Sequence, residues 1–194
     1  MSPHIIFLTA GELGIPQDSP IAPLEIAHIR QQEAVNAMRA IGASMKMLSF
    51  PDLHLPFVPF EELVRAVLPT IRSLKADALF SFDPNELTPF FDHPDHIVAG
   101  KVAQYVGTAA DVKHFMPESV VLKKRPELYL WTSDEKRANT KVSLPKNIRE
   151  KRNEYLIENY PSQFSVANQE EWQKIFTAIT RKKRRHSERY IKVR

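Results

Sequence analysis

Four consecutive residues, His93-Pro94-Asp95-His96, carry the side chains of this chain most suited to chemistry. Two imidazoles three positions apart share one face of a helix's first turn, so both rings can address one point. Such a pair, with a carboxylate between, suits metal-assisted hydrolysis. A bound metal makes water nucleophilic near neutral pH, and a protonated imidazole offsets a developing oxyanion. A carboxylate partner would raise that imidazole's pKa and fix its tautomer. The competing reading is structural, with His93 and Asp95 serving only to cap a helix. Pro94 fits a helix start either way, since its fixed φ and missing N–H cost nothing there.

Three elements must position these residues. Residues 77–82 read as a short buried strand ended by Asp83-Pro84-Asn85. Downstream, Ile97, Val98, Val102, Ala103 and Val106 recur at helical spacing before Gly107. A strand, a polar loop and then a helix is where α/β proteins place their ligands. Before them, residues 4–9 form a compact apolar strand stopped by Gly11 and Gly14. Ile26, Ile29, Ala34, Ala37, Met38 and Ile41 trace one helix face ending at Gly42, followed by a strand over 44–50 and a helix over 60–75. Strands are expected at 120–122 and 128–131, helices at 145–160 and 168–180, and a last edge strand at 190–193. This strand–helix rhythm predicts an α/β fold. The expected form is a Rossmann-like three-layer domain over residues 1–180, with a mostly parallel sheet and helices on both faces.

Composition narrows the function. The 194 residues contain no cysteine, so any metal must be held by His, Asp or Glu. No run approaches the roughly 18 apolar residues of a membrane span, and no signal-peptide pattern opens the chain, so a cytoplasmic location is the expectation. The five glycines make no GxGxxG or P-loop, which argues against a dinucleotide or nucleoside-triphosphate enzyme. The net charge of +4 is uneven. Residues 181–194 hold eight Lys/Arg and one Glu, and the remainder sums to −3. No base-reading element accompanies that basic tail, so a solvated terminus is expected rather than a nucleic-acid site.

Several segments in order are similar to the PIG-L/LmbE family of zinc-dependent N-deacetylases. Leu8-Thr9-Ala10-Gly11-Glu12-Leu13-Gly14 resembles its "T-x-G-E-x-G" strand end, and Arg30-Gln31-Gln32-Glu33 its "R-x-x-E" helix. The run Phe91 to Gly100 matches its "HPDH" segment, and Pro126 to Trp131 the strand after it. Tyr160-Pro161-Ser162-Gln163 resembles a "Y-x-S-Q" helix end, and Ser187-Glu188-Arg189-Tyr190 a terminal "E-x-F".

The resemblance implies a zinc-dependent hydrolase that removes an N-acetyl group from an N-acetylglucosamine-type sugar conjugate. His96 would ligate zinc, and His93 would stabilise or protonate the tetrahedral intermediate with Asp95 keeping it charged. Arg30 would grip substrate hydroxyls or the acetyl oxygen, and Glu12 would contact Arg30 or a ligand. For Arg30 the equal alternative is an ion pair with Glu33 on a solvated helix face, and for Glu12 the favoured alternative is a plain loop carboxylate. The family's "HPDDE" motif, which brings the general base and two zinc ligands, is not among these residues. His4 stands near its expected place, followed by Ile5 and Ile6 where carboxylates belong. The chain is therefore expected to open at the family's second strand. Two expectations follow: a possible homo-oligomer through an exposed sheet edge, and, as the alternative function, a catalytically inactive or truncated binding protein of the same fold.

Overall fold

The computed structural model describes residues 2–15, 20–85, 93–163 and 187–193. In chain order the elements are β1 (His4–Phe7), α1 (Pro23–Ala40), β2 (Ser44–Met47), a 3-10 turn (Leu55–Phe57), α2 (Phe60–Ser73), β3 (Ala78–Phe82), α3 (Pro94–Ala109), β4 (Glu127–Trp131), β5 (Thr140–Ser143), α4 (Lys146–Asn159) and β6 (Ser187–Val193). They belong to two compact units, residues 1–52 with 143–188 and residues 53–142 with 189–194.

In the first unit β1 and β2 pair in parallel, from His4 opposite Ser44 to Phe7 opposite Met47. Helix α1 joins them, burying Ile26, Ala34, Ala37 and Met38 at the predicted helical spacing. Its end follows from Gly42, whose φ of 66° lets the Ala43 N–H return to the Met38 carbonyl at 2.9 Å. Helix α4 is tied to α1 by the Tyr155 hydroxyl, which donates to the Ala37 carbonyl at 2.6 Å.

The second unit is built on a four-stranded sheet in the order β3-β4-β6-β5. Strands β3 and β4 are parallel, with Ala78 opposite Glu127 and Phe82 opposite Trp131. Strand β6 runs antiparallel to β4. The α/β class is as predicted, but this sheet is mixed rather than mostly parallel, because an antiparallel neighbour needs no helical crossover. Residues 190–193, expected at an edge, lie inside β6 between β4 and β5. Two basic groups expected to be solvated are paired there, Lys192 with Glu127 and Arg189 with Glu135, both at 2.7 Å.

Alternation along β4 buries Leu128 and Leu130 on one face, and α2 contributes Leu63, Val64, Val67 and Leu68 to the core. The strand expected at 120–122 does not form. Val120 is exposed, and the Leu122 N–H donates to the Ala110 carbonyl instead of to a strand. The stretch is shaped by the fully buried Arg72, which bonds to carbonyls of Ala109, Ala110, Val112 and Met116. Strand β5 was not foreseen. The expected helix over 168–180 and residues 181–186 of the basic tail lie outside the described residues.

Candidate active site

The histidine motif stands where β3 gives way to α3, in the second unit. His93 is the residue before the helix, and its carbonyl accepts from the N–H groups of His96 and Ile97 at 2.9 and 3.2 Å. The His93 Nδ1 accepts from the Asp95 N–H at 3.3 Å, so the His93 side chain caps the helix. That bond leaves Nε2 of the same ring for the proton of the neutral tautomer. The His93 and His96 rings lie 5.0 Å apart between centroids, tilted by 41°. They share one face of the first turn, as the spacing predicts.

Asp95 is 5% exposed, and its carboxylate accepts the backbone N–H groups of Leu53 at 2.8 Å and Leu55 at 3.2 Å. The carboxylate between the two histidines therefore anchors the segment that opens the 3-10 turn. Leu53 itself sits at φ 62°, a left-handed conformation uncommon for a residue with a branched side chain. Behind the motif, Phe82 lies flat on His96, with centroids 4.0 Å apart and planes 11° apart. Asp83, 2% exposed, is held by Arg137, whose Nη2 donates to Oδ1 at 3.0 Å and whose Nη1 donates to the Asn85 carbonyl. Sequence reading missed Phe82, Asp83 and Arg137. Gly100 carried a signal: a glycine one turn beyond His96 weakens a helix and asks for a packing reason.

Arg30 and Glu12 belong to the first unit. The solvated-face alternative for Arg30 and Glu33 does not hold, since they are 5% and 7% exposed. The Arg30 Nη2 donates to the Gly14 carbonyl at 2.7 Å. A Cβ at Gly11 or Gly14 would stand 3.0 or 3.3 Å from its Nη1, so both glycines make room for the guanidinium. Burial pushes the Arg30 pKa down, against the opposing charges of Glu33, Asp52 and Glu12. Glu12 Oε1 accepts the Asp52 N–H at 2.9 Å, and Asp52 Oδ2 accepts the Leu13 N–H at 3.1 Å. Glu33 accepts from the Ser162 N–H and hydroxyl at 2.7 and 2.6 Å. Asp52 was not singled out from the sequence, although an aspartate after a strand and Pro51 is an ordinary turn signal. His4 bonds through Nδ1 to the Ser44 hydroxyl at 2.7 Å.

The donor set bears on a metal. Imidazoles at His93 and His96 suit zinc, but a catalytic zinc takes three protein ligands. Among the described residues, no group of three or more His, Cys, Asp or Glu comes together that could hold a metal ion. The described residues alone do not complete a zinc centre.

The described elements define an α/β protein in which a histidine pair opens the helix that follows a parallel strand. Residues 2–106, more than half of the chain, match the PIG-L family described as GlcNAc-PI de-N-acetylase, and the chain belongs to that family. Solved structures share its fold. N,N'-diacetylchitobiose deacetylase from Pyrococcus horikoshii is 20% identical, with 97% of this chain and 72% of that chain covered and a TM-score of 0.81. GalB, the 4-carboxy-2-hydroxymuconate hydratase from Pseudomonas putida KT2440, is 16% identical over 100% and 84% of the two chains, with a TM-score of 0.70. A zinc-inhibited form of teicoplanin deacetylase Orf2 is 16% identical over 98% and 87%, with a TM-score of 0.60. At such identities the likeness shows the fold, and a fold that serves both a hydratase and deacetylases does not by itself name a reaction. No helix among the described residues is long and apolar enough to cross a membrane.

Proposed function

We propose that this protein is a zinc-dependent hydrolase that removes an N-acetyl group from an N-acetylglucosamine-type sugar conjugate, a small-molecule substrate. The observation that carries the reading is the His93–His96 pair, 5.0 Å between ring centroids on the first turn of α3, in a chain of the GlcNAc-PI de-N-acetylase family. The named activities of the Pyrococcus and teicoplanin neighbours agree with it. In this reading His96 is a metal-ligating residue.

The remaining roles follow from the chain's own groups. His93, whose Nδ1 accepts the Asp95 amide, presents Nε2–H as the donor toward an oxygen that gains charge when the amide is attacked. Asp95 holds the backbone that borders this ring. Arg30 and Glu12 are assigned to substrate recognition, with Arg30 held against Gly14 and among three carboxylates.

The test is acetate release from N-acetylglucosamine conjugates and N,N'-diacetylchitobiose, with bound zinc measured on the same samples. Release that is abolished by a chelator, restored by zinc and lost in His96→Ala supports the proposal. The absence of a complete donor group among the described residues favours one alternative, a catalytically inactive family member that binds amino-sugar conjugates. Saturable sugar binding without acetate release, unchanged in His96→Ala, would establish that alternative. Neither binding nor release would overturn both.

A further inference from the structure

The geometry points to Phe82 as a positioning residue that fixes the plane of the His96 imidazole, an inference that rests on the His93–His96 pair being the reaction centre. The Phe82 ring covers one face of His96 at van der Waals separation, with centroids 4.0 Å apart and planes within 11° of parallel. A near-parallel stack at that distance restricts rotation about the imidazole's side-chain bonds and keeps water off the covered face. The His93 ring stands 5.0 Å away between centroids, its plane tilted by 41° to that of His96.

Phe82 can hold another ring because its own backbone is fixed on three sides. It is the last residue of β3, paired with Trp131 of β4, and the next residue continues the ladder through the Asp83 N–H to the Trp131 carbonyl at 3.0 Å. The Asp83 carboxylate is then gripped by the Arg137 guanidinium, with Nη1 at 2.5 Å from Oδ2. On the helix side, Gly100 is buried and lies one turn beyond His96. A Cβ built there would overlap the Phe82 carbonyl oxygen and stand 3.0 Å from Pro84 Cδ, so α3 approaches the strand end as closely as backbone allows. Strand end and helix start thus form one rigid corner, and the stack transmits that rigidity to the imidazole. Phe82 has no ionisable or hydrogen-bonding group, so its contribution is orientation, which reactive sites need to within about 10–20°.

The experiment uses the full chain labelled at histidine, with Phe82→Leu and Phe82→Tyr compared after circular dichroism shows all three folded. His96 ring protons, assigned by their loss in His96→Gln, should be displaced upfield by the Phe82 ring current. They should show a nuclear Overhauser contact to the His93 ring. Both signatures should vanish in Phe82→Leu and persist in Phe82→Tyr. Acetate release should fall by about 10–100-fold in Phe82→Leu, the usual cost of losing a group that orients a ligating histidine, and recover in Phe82→Tyr. Ring signals or ring–ring contacts that do not change in Phe82→Leu would overturn the assignment. So would full acetate release in a Phe82→Leu protein that has lost them. If the wild-type protein releases no acetate, the deacetylase reading fails separately, and the ring contacts in the two variants still decide the role of Phe82. A Phe82→Leu chain that does not fold shifts the decision to Phe82→Tyr, where loss of the His93 contact would overturn it.

Discussion

The carboxylate of Asp95 accepts the backbone amide of Leu53 at 2.8 Å while Leu53 holds a φ of 62°. An ionised acceptor at the first turn of α3 thereby fixes a left-handed residue forty-two positions earlier in the chain. The second oxygen repeats the bond to the Leu55 amide. Charge-assisted bonds of this kind are each worth about 1.5–3 kcal/mol. Asp95→Asn replaces one acceptor oxygen by an NH2 that faces a donor, so unfolding free energy should drop by about 2 kcal/mol. Urea denaturation of the two proteins measures it, and an unchanged midpoint would contradict the anchoring role.

Leu53 gives a companion prediction with the opposite sign. A left-handed conformation costs an L-residue with a Cβ roughly 1–2 kcal/mol, and glycine avoids it while losing about 0.5–1 kcal/mol in chain entropy. Leu53 is 41% exposed, so little packing is lost on truncation. Leu53→Gly should therefore be neutral or slightly stabilising. Leu53→Ile, branched at Cβ, should lower stability by more than about 1 kcal/mol. The thermal midpoint of Leu53→Gly should match or exceed the parent's, and that of Leu53→Ile should fall below it.

The sequence carried α1, α2, α3 and the strands that precede them, because each pairs an apolar period with a stop such as Gly42 or Pro84. The histidine pair was equally legible, since its geometry is local: three residues on one turn. What could not be read were contacts between distant segments. The bonds from the Leu53 and Leu55 amides to Asp95, from Ser162 to Glu33 and from Arg137 to Asp83 join residues 40 or more positions apart. No periodicity encodes them. Residues 120–122 failed for a related reason: their β-branched run favours a strand, but the buried Arg72 claims the carbonyls of the preceding stretch and dictates its course. Strand β5, only four residues long and mostly exposed, offered no apolar alternation to detect.

Gly100 tests the packing of α3 directly. Alanine is intrinsically better in a helix by about 1 kcal/mol, so an open site would gain from Gly100→Ala. Here the new methyl would meet the Phe82 carbonyl, a backbone atom that cannot swing aside. Overpacking of this sort costs about 1–3 kcal/mol, and the net change should be destabilising. A more stable Gly100→Ala protein would show that α3 is not seated as described.

The two tyrosines of the first unit predict an alkaline limb. Burial raises the Tyr155 pKa above its ordinary 10.0, and burial, with Tyr155 and Glu33, raises that of Tyr160. Above that value the unfolded chain loses these protons before the folded chain does. The unfolded state then binds fewer protons, so stability falls as pH rises. The contribution is intact below pH 10.0 and is lost as pH climbs through the raised folded values. Tyr155→Phe should flatten this limb, while costing the hydroxyl bond to the Ala37 carbonyl at neutral pH. Denaturant midpoints at about pH 8 and about pH 11 separate the two effects.

Arg72 should be the least replaceable side chain of the second unit. It is fully buried, and its guanidinium spends five bonds on the carbonyls of Ala109, Ala110, Val112 and Met116 and on the Ser119 hydroxyl. Two of those carbonyls close the C-terminal end of α3, where helix acceptors lack intrahelical partners. A third belongs to Met116, held at φ 49°. Lysine offers three donors from one point and cannot reach five acceptors spread around a planar fork. Arg72→Lys should therefore lose about 3 kcal/mol or more, since each abandoned buried acceptor costs about 1–3 kcal/mol. Amide exchange should accelerate first at Leu122, whose N–H bonds to the Ala110 carbonyl beneath the guanidinium. An Arg72→Lys protein that keeps both its midpoint and that protection would mean the loop holds its course without the arginine.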